Sequence, residues 1–201
     1  THYSYVPENP GTISSQWINA LYEDNIGNLW IATENGICKW AKWKEKFKCF
    51  RHNPQKTNTL SKGKVMSVCE DRSGDLWIAT WGSGVSRLHR ESNKFTIYKA
   101  PGHLTNSWVR HVYKDKTGVV WIATNAIGGL NKFEPKTHSF SCYRHDPNNP
   151  NSLSYNMVTA ILEDQDGMLW FGTYLGGLNK YDRQTDTFTR YQRDPNNPHS
   201  I

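Results

Sequence analysis

The chain carries one five-residue phrase four times: Leu29-Trp30-Ile31-Ala32-Thr33, Leu76-Trp77-Ile78-Ala79-Thr80, Val120-Trp121-Ile122-Ala123-Thr124 and Leu169-Trp170-Phe171-Gly172-Thr173. Its tryptophans stand 47, 44 and 49 residues apart. A period of that size marks stacked supersecondary units, propeller blades among them, each of which buries little until a neighbour packs on it. The fold must therefore repeat one small unit four times.

Each copy reaches well beyond its tryptophan. Ahead of it stands a turn that opens on an acid and closes on glycine: Asp24 to Gly27, Asp71 to Gly74, Asp115 to Gly118 and Asp164 to Gly167. These aspartates read as turn residues bonded to local backbone amides. Upstream of each turn runs an alternating apolar segment, such as Val65-Met66-Ser67-Val68-Cys69, whose period of two predicts a strand. Downstream, Leu178 to Tyr181 and Phe188 to Tyr191 supply two more. Four short strands joined by glycine-containing turns form an antiparallel meander. In the fourth repeat strand a is Val158 to Glu163, b is Met168 to Thr173, and c and d are those last two segments. No stretch has helical periodicity.

The long d-to-a connection also recurs. Asp146-Pro147-Asn148-Asn149-Pro150 returns as Asp194-Pro195-Asn196-Asn197-Pro198, and Tyr3, Pro7, Pro10 and Ile13 fit the same frame. Residues 1–13 are thus read as the end of a preceding blade and its d–a loop, 14–60 as blade 1, 61–104 as blade 2, 105–153 as blade 3 and 154–201 as blade 4. The expected fold is an all-β propeller of four-stranded antiparallel blades. Propellers close with roughly four to eight blades, and these four are read as part of a larger ring.

Glu163-Asp164, Gly167, Leu169 to Thr173, Gly176-Gly177-Leu178-Asn179-Lys180-Tyr181-Asp182, Phe188, Tyr191 and Asp194-Pro195 together resemble the two-component regulator propeller repeat. The resemblance covers essentially the whole chain. Ala32, Ala79 and Ala123 stand where the repeat usually has the glycine that Gly172 keeps, and Glu34-Asn35-Gly36 replaces a double glycine. It implies the periplasmic sensor region of a hybrid two-component system, similar to sensors of polysaccharide breakdown products. It also implies partners in a parent protein: further blades, a kinase and a dimeric arrangement. Kinase activity would lie in parts outside this sequence.

Nine tryptophans suit blade-to-blade packing, and the four repeated ones are expected to be core, with truncation costing about 3–5 kcal/mol each. The net charge of +6 raises the question of an anionic partner. Much of the excess sits in one hairpin, Lys39, Lys42, Lys44, Lys46 and Lys48, where edge lysines discourage sheet-to-sheet association. Without a recognisable RNA-binding motif, nucleic acid is not expected as a partner. No apolar run approaches the roughly 20 residues that span a bilayer, and no signal peptide is expected at this amino terminus. Cys38 and Cys49 lie symmetrically outside Trp40 and Phe47, the expected cross-strand pair, and so face one another. They read either as a disulfide or as two small apolar fillers; Cys69 and Cys142 read as free thiols.

The d–a and b–c connections emerge together around the mouth of the central channel, and positions that vary there while the scaffold repeats are candidates for ligand contact. At the start of strand a these are Trp17, Lys64, Trp108 and Met157; two residues on, Asn19, Met66, Arg110 and Thr159; in the b–c loop, Glu34, Trp81, Asn125 and Tyr174. Tryptophan and tyrosine present flat faces to sugar rings, while arginine, lysine and asparagine orient hydroxyls or carboxylates. The candidate ligand set is Trp17, Lys64, Trp81, Trp108, Arg110, Asn125 and Tyr174, for an oligosaccharide. Taken singly, each of these residues reads first as inter-blade packing, and the face as a whole carries the ligand reading. Histidines at 2, 52, 89, 103, 111, 138, 145 and 199 show no metal spacing, His52 and His145 are equivalent loop positions, and Gly82-Ser83-Gly84 is a b–c turn and not a nucleotide loop. No cofactor, metal or catalytic residue is expected. The reading is a non-catalytic sensor propeller; the rival is a protein-interaction scaffold.

Overall fold

The computed structural model describes residues 2–41 and 46–201. Among these residues the chain is all β, with four antiparallel sheets of four strands in sequential order. Blade 1 is β1 (Ile18–Glu23), β2 (Leu29–Thr33), β3 (Gly36–Ala41) and β4 (Lys46–Phe50). Blade 2 is β5 (Val65–Glu70), β6 (Leu76–Thr80), β7 (Gly84–His89) and β8 (Lys94–Tyr98). Blade 3 is β9 (Val109–Lys114), β10 (Val120–Thr124), β11 (Leu130–Glu134) and β12 (Ser139–Tyr143). Blade 4 is β13 (Val158–Glu163), β14 (Leu169–Thr173), β15 (Gly177–Asp182) and β16 (Thr187–Tyr191).

Each first hairpin is closed by its aspartate. One carboxylate oxygen of Asp115 accepts the amides of Thr117 at 2.9 Å and Val119 at 3.1 Å, and its other oxygen accepts the Trp121 indole N–H at 2.8 Å. The indole bond recurs in Asp24–Trp30 at 2.9 Å, Asp71–Trp77 at 2.8 Å and Asp164–Trp170 at 2.8 Å. The sequence pattern shows the turn bond; the second bond, from turn to core tryptophan, appears only in the structure. Burial alone would raise the Asp24 and Asp115 carboxyls, but the hydrogen bonds and a nearby arginine on each outweigh it and hold both below the ordinary value of 3.8.

The tryptophan side of one blade packs on the isoleucine side of the next. Trp30 lies in a cluster with Leu60, Val65, Val68, Leu76 and Ile78, and Trp121 in one with Leu153, Val158, Ile161, Leu169 and Phe171. Trp30, Trp77 and Trp121 are buried, while Trp170, with no following blade in this chain, is only partly covered. At the opposite end Leu21 is 63% exposed, whereas Val68 and Val112 at the same repeat position are 6% and 2% exposed. Strands β1 and β13 do not pack on one another as consecutive inner strands do. The four blades form an open arc with one uncovered sheet face at each end.

Polar clamps tie two of the three junctions. Arg90 bridges Asp24 at 3.1 Å and Glu70 at 3.2 Å, and Arg183 bridges Asp115 at 2.8 Å and Glu163 at 3.0 Å. Between blades 2 and 3 the equivalent arginine is Pro135 and the equivalent glutamate Lys114; there Arg72 donates to the Lys116 carbonyl at 2.9 Å. In blade 1, Cys38 and Cys49 are in direct register across β3 and β4 and form a disulfide with Cα atoms 4.0 Å apart. Cys69 is buried and free, with burial the main cause of its raised thiol pKa; Cys142 is exposed and free. Of the lysine-rich hairpin, Lys42 and Lys44 lie outside the described residues, while Lys39 and Lys48 sit over the Trp30 and Phe50 rings at 5.7 and 5.1 Å.

Candidate ligand-binding face

Every inner strand opens with a bulge. Pairing with strand b shifts register between Ile18 and Ala20, Val65 and Ser67, Val109 and His111, and Val158 and Ala160. The extra residues are therefore Asn19, Met66, Arg110 and Thr159, one of the variable sets of the sequence. A bulge bends its strand and re-aims a side chain, and such bulges concentrate beside binding sites. The sequence gives no sign of it, since alternation continues through each strand start.

Just before the bulge, the chain crosses back to the b–c loop in each blade. The amides of Glu34, Trp81, Asn125 and Tyr174 donate to the carbonyls of Trp17, Lys64, Trp108 and Met157 at 3.3, 2.9, 2.8 and 2.9 Å. Two variable positions are thereby fixed side by side on every blade. The d–a loops that frame them are braced from within: the Nδ1 atoms of His52 and His145 bond the carbonyls of Leu60 and Leu153 at 3.0 and 2.8 Å. Those histidines are loop structure. His111 lines a depression with Tyr22, Val68 and Val112; its ring makes no hydrogen bond among the described residues, and burial lowers its pKa.

The junction of blades 2 and 3 brings three of the candidate residues together. Trp81 and Trp108 meet edge to face with centroids 5.1 Å apart, and the Arg110 guanidinium lies 5.6 Å above the Trp81 ring. Trp108 is 47% exposed and is set by its own amide donating to Asn106 Oδ1 at 2.8 Å. Arg110 Nε and Asn125 Oδ1 are buried without a hydrogen-bond partner. A buried donor or acceptor left unpaired costs about 1–3 kcal/mol, so this corner holds unspent donor and acceptor capacity beside two indole faces. A depression of about 520 Å³ adjoins it, lined in part by Thr105, Asn106, Trp108 and Arg144.

The other candidates stand apart from that corner. Trp17 and Tyr174 are 71% and 63% exposed on the terminal blades, and neither has a ring partner among the described residues. Lys64 is ion-paired with Glu34 across the first junction at 2.5 Å. Asn19 donates to the Val65 carbonyl at 2.9 Å and so serves blade packing. Among the described residues no group of three His, Cys, Asp or Glu side chains could hold a metal ion, and no helix is long and apolar enough to cross a membrane, which says nothing of a β-barrel.

An arc of four-stranded blades with turn-bonded tryptophans defines a β-propeller repeat protein. The family model described as "two component regulator propeller" matches residues 12–35, 59–82, 103–126 and 152–175, one segment per blade. The chain belongs to the two-component regulator propeller repeat family. The extracellular domain of a hybrid two-component system from B. thetaiotaomicron superposes with a TM-score of 0.78 at 25% identity, over 100% of this chain and 25% of that one. The extracellular domain of a one-component system from the same organism gives 0.76 at 20% identity, over 94% of this chain and 26% of that one. Virginiamycin B lyase from Staphylococcus aureus gives 0.65 at 16% identity, over 89% and 57%, a likeness of fold alone. The chain spans about a quarter of the length of the first two structures. No curated protein matches it.

Proposed function

We propose that this chain is the ligand-reading part of an extracytoplasmic sensor propeller in a two-component system, located in the periplasm, and that its ligand is an oligosaccharide. Family membership and the likeness to an extracellular two-component domain support the sensor role. The observation that carries the ligand is the corner made by Trp81, Trp108, Arg110 and Asn125. Two indoles offer apolar faces to a sugar ring, and the terminal nitrogens of the Arg110 guanidinium, which make no hydrogen bond among the described residues, offer donors to its hydroxyls; Arg110 Nε and Asn125 Oδ1 are unpaired but buried beneath that surface. The protein acts without catalysis in this reading. Bound ligand biases the parent sensor only if it prefers one of the sensor's arrangements over the other.

Saturation-transfer NMR on the chain with a panel of plant and host oligosaccharides tests this directly. Transfer to one glycan class, lost in Trp108→Ala and in Arg110→Ala, is expected. Transfer to none of them, with the chain folded, would favour the protein-interaction scaffold, for which exposed Trp17, Ile18 and Leu21 supply an apolar surface.

A further inference from the structure

On the outer side of the same b–c loop lies a second cavity, of about 390 Å³, whose lining includes Lys56, Lys62, Lys99, His52 and Ser83. No acidic residue lines it. Lys56, Lys62 and Lys99 are exposed and carry no ion pair or hydrogen bond through their ammonium groups among the described residues. His52 spends Nδ1 on the Leu60 carbonyl and so braces the wall of the cavity.

Repetition tells which of these charges the fold needs. Lys56 occupies the position of Asn9, Asn149 and Asn197 in other d–a loops, and Lys62 that of Ser15, Asn106 and Tyr155. The amides of Asn9, Lys56, Asn149 and Asn197 all donate to the carbonyl three residues earlier, but only the three asparagines also accept the amide two residues on through Oδ1, so Lys56 adds no side-chain bond to its loop. Both are singular, as are Trp81 and Arg110 on the inner side. The two places share a wall. Gly82 and Ser83 line the cavity, and a Cβ on Gly82 would lie 3.7 Å from the Trp108 ring. A ligand held on the indoles thus has a cationic, acid-free recess one loop away.

We propose that this cavity is an anion subsite, which takes a carboxylate or sulfate-ester group of a glycan whose ring lies on Trp81 and Trp108; the glycan part rests on the function proposed above. Like charges at Lys56, Lys62 and Lys99 repel one another until an anion arrives, and opposite charge at that point both binds and speeds encounter.

Two experiments separate this from the reading it rests on. The first titrates the ¹⁵N-labelled chain with sodium sulfate against sodium chloride at constant ionic strength. Saturable amide shifts at Lys62, Gly82 and Ser83, absent in Lys56→Ala/Lys62→Ala and kept in Trp81→Ala, are expected; no saturable shift overturns the subsite. The second measures affinity for tetragalacturonate, a sulfated chondroitin tetrasaccharide and neutral maltotetraose by calorimetry. At least one charged glycan should bind about tenfold more tightly than the neutral one, the size of one charge-assisted contact. The double variant should erase that difference, and whichever of the two charged probes keeps the preference names the group. Equal affinity for charged and neutral glycans overturns the subsite while leaving glycan binding intact. Sulfate binding with no glycan bound by any chain keeps the anion site and removes its sugar.

Discussion

Asp115 joins three things that are usually separate: a tight turn, a core tryptophan and the neighbouring blade. Its oxygens serve two backbone amides, the Trp121 indole and Arg183. Removing it strands the buried indole N–H and two turn amides and leaves the partly exposed Arg183 with Glu163 alone, so Asp115→Ala should destabilise the chain by about 1–3 kcal/mol, measured by urea unfolding. Trp77→Phe keeps the ring in place but leaves Asp71 one donor short, with a cost of about 1–3 kcal/mol. The same bonds set an acid dependence. A carboxyl held below its unfolded value stabilises fully above that value and loses its contribution as pH falls through the lowered folded value. Stability should therefore decline below about pH 3.9, through the depressed ranges of Asp24 and Asp115, and Asp115→Asn should flatten that decline. The aspartate's turn bond was legible from Asp-x-x-Gly spacing. The indole bond was not, because nothing in a one-dimensional pattern says that a residue six positions on will turn its ring back to the turn.

Whole blades were the most legible level, since strand alternation and a glycine before each third strand act locally. Gly129 shows why the glycine is needed: it has φ 75°, and a Cβ there would lie 2.2 Å from the Tyr143 carbonyl oxygen that closes the blade. Register also follows from the pattern, which sets Cys38 against Cys49 as the structure has them. Whether they bond was not readable, because a disulfide and two small fillers satisfy the same register. The bond closes a short span, with a sequence separation of 11, and loop entropy gives about 3 kcal/mol for it. Reduction, or Cys38→Ser/Cys49→Ser, should lower the calorimetric melting temperature with no change in the far-ultraviolet circular dichroism of the folded state. An unchanged melting temperature would mean that blade packing alone holds that hairpin. The inner-strand bulges were hidden for the opposite reason: they depend on pairing with strand b, and one of them places Arg110, whose guanidinium lies over the Trp81 ring.

Taken as a whole, the molecule is an arc whose middle blades are finished and whose terminal blades are not. Leu21 and Val112 hold one repeat position, exposed in the first and buried in the second. Val112→Ala should therefore cost about 2 kcal/mol and Leu21→Ala less than about 0.5 kcal/mol; equal costs would mean that something covers the first face in solution. The proposed ligand corner falls at the middle junction, where each blade has a neighbour on both sides. Variation between repeats pointed to Trp81, Trp108 and Arg110 individually but not to their meeting, which depends on the angle between neighbouring blades. The central claim is that this corner reads a glycan, and the most direct measurement is thermal unfolding of the chain against an oligosaccharide panel. A ligand at about 100 times its dissociation constant adds about 2.7 kcal/mol. The account predicts a selective rise in melting temperature that vanishes in Trp108→Ala while that variant stays folded; a rise that survives Trp81→Ala, Trp108→Ala and Arg110→Ala alike would contradict it.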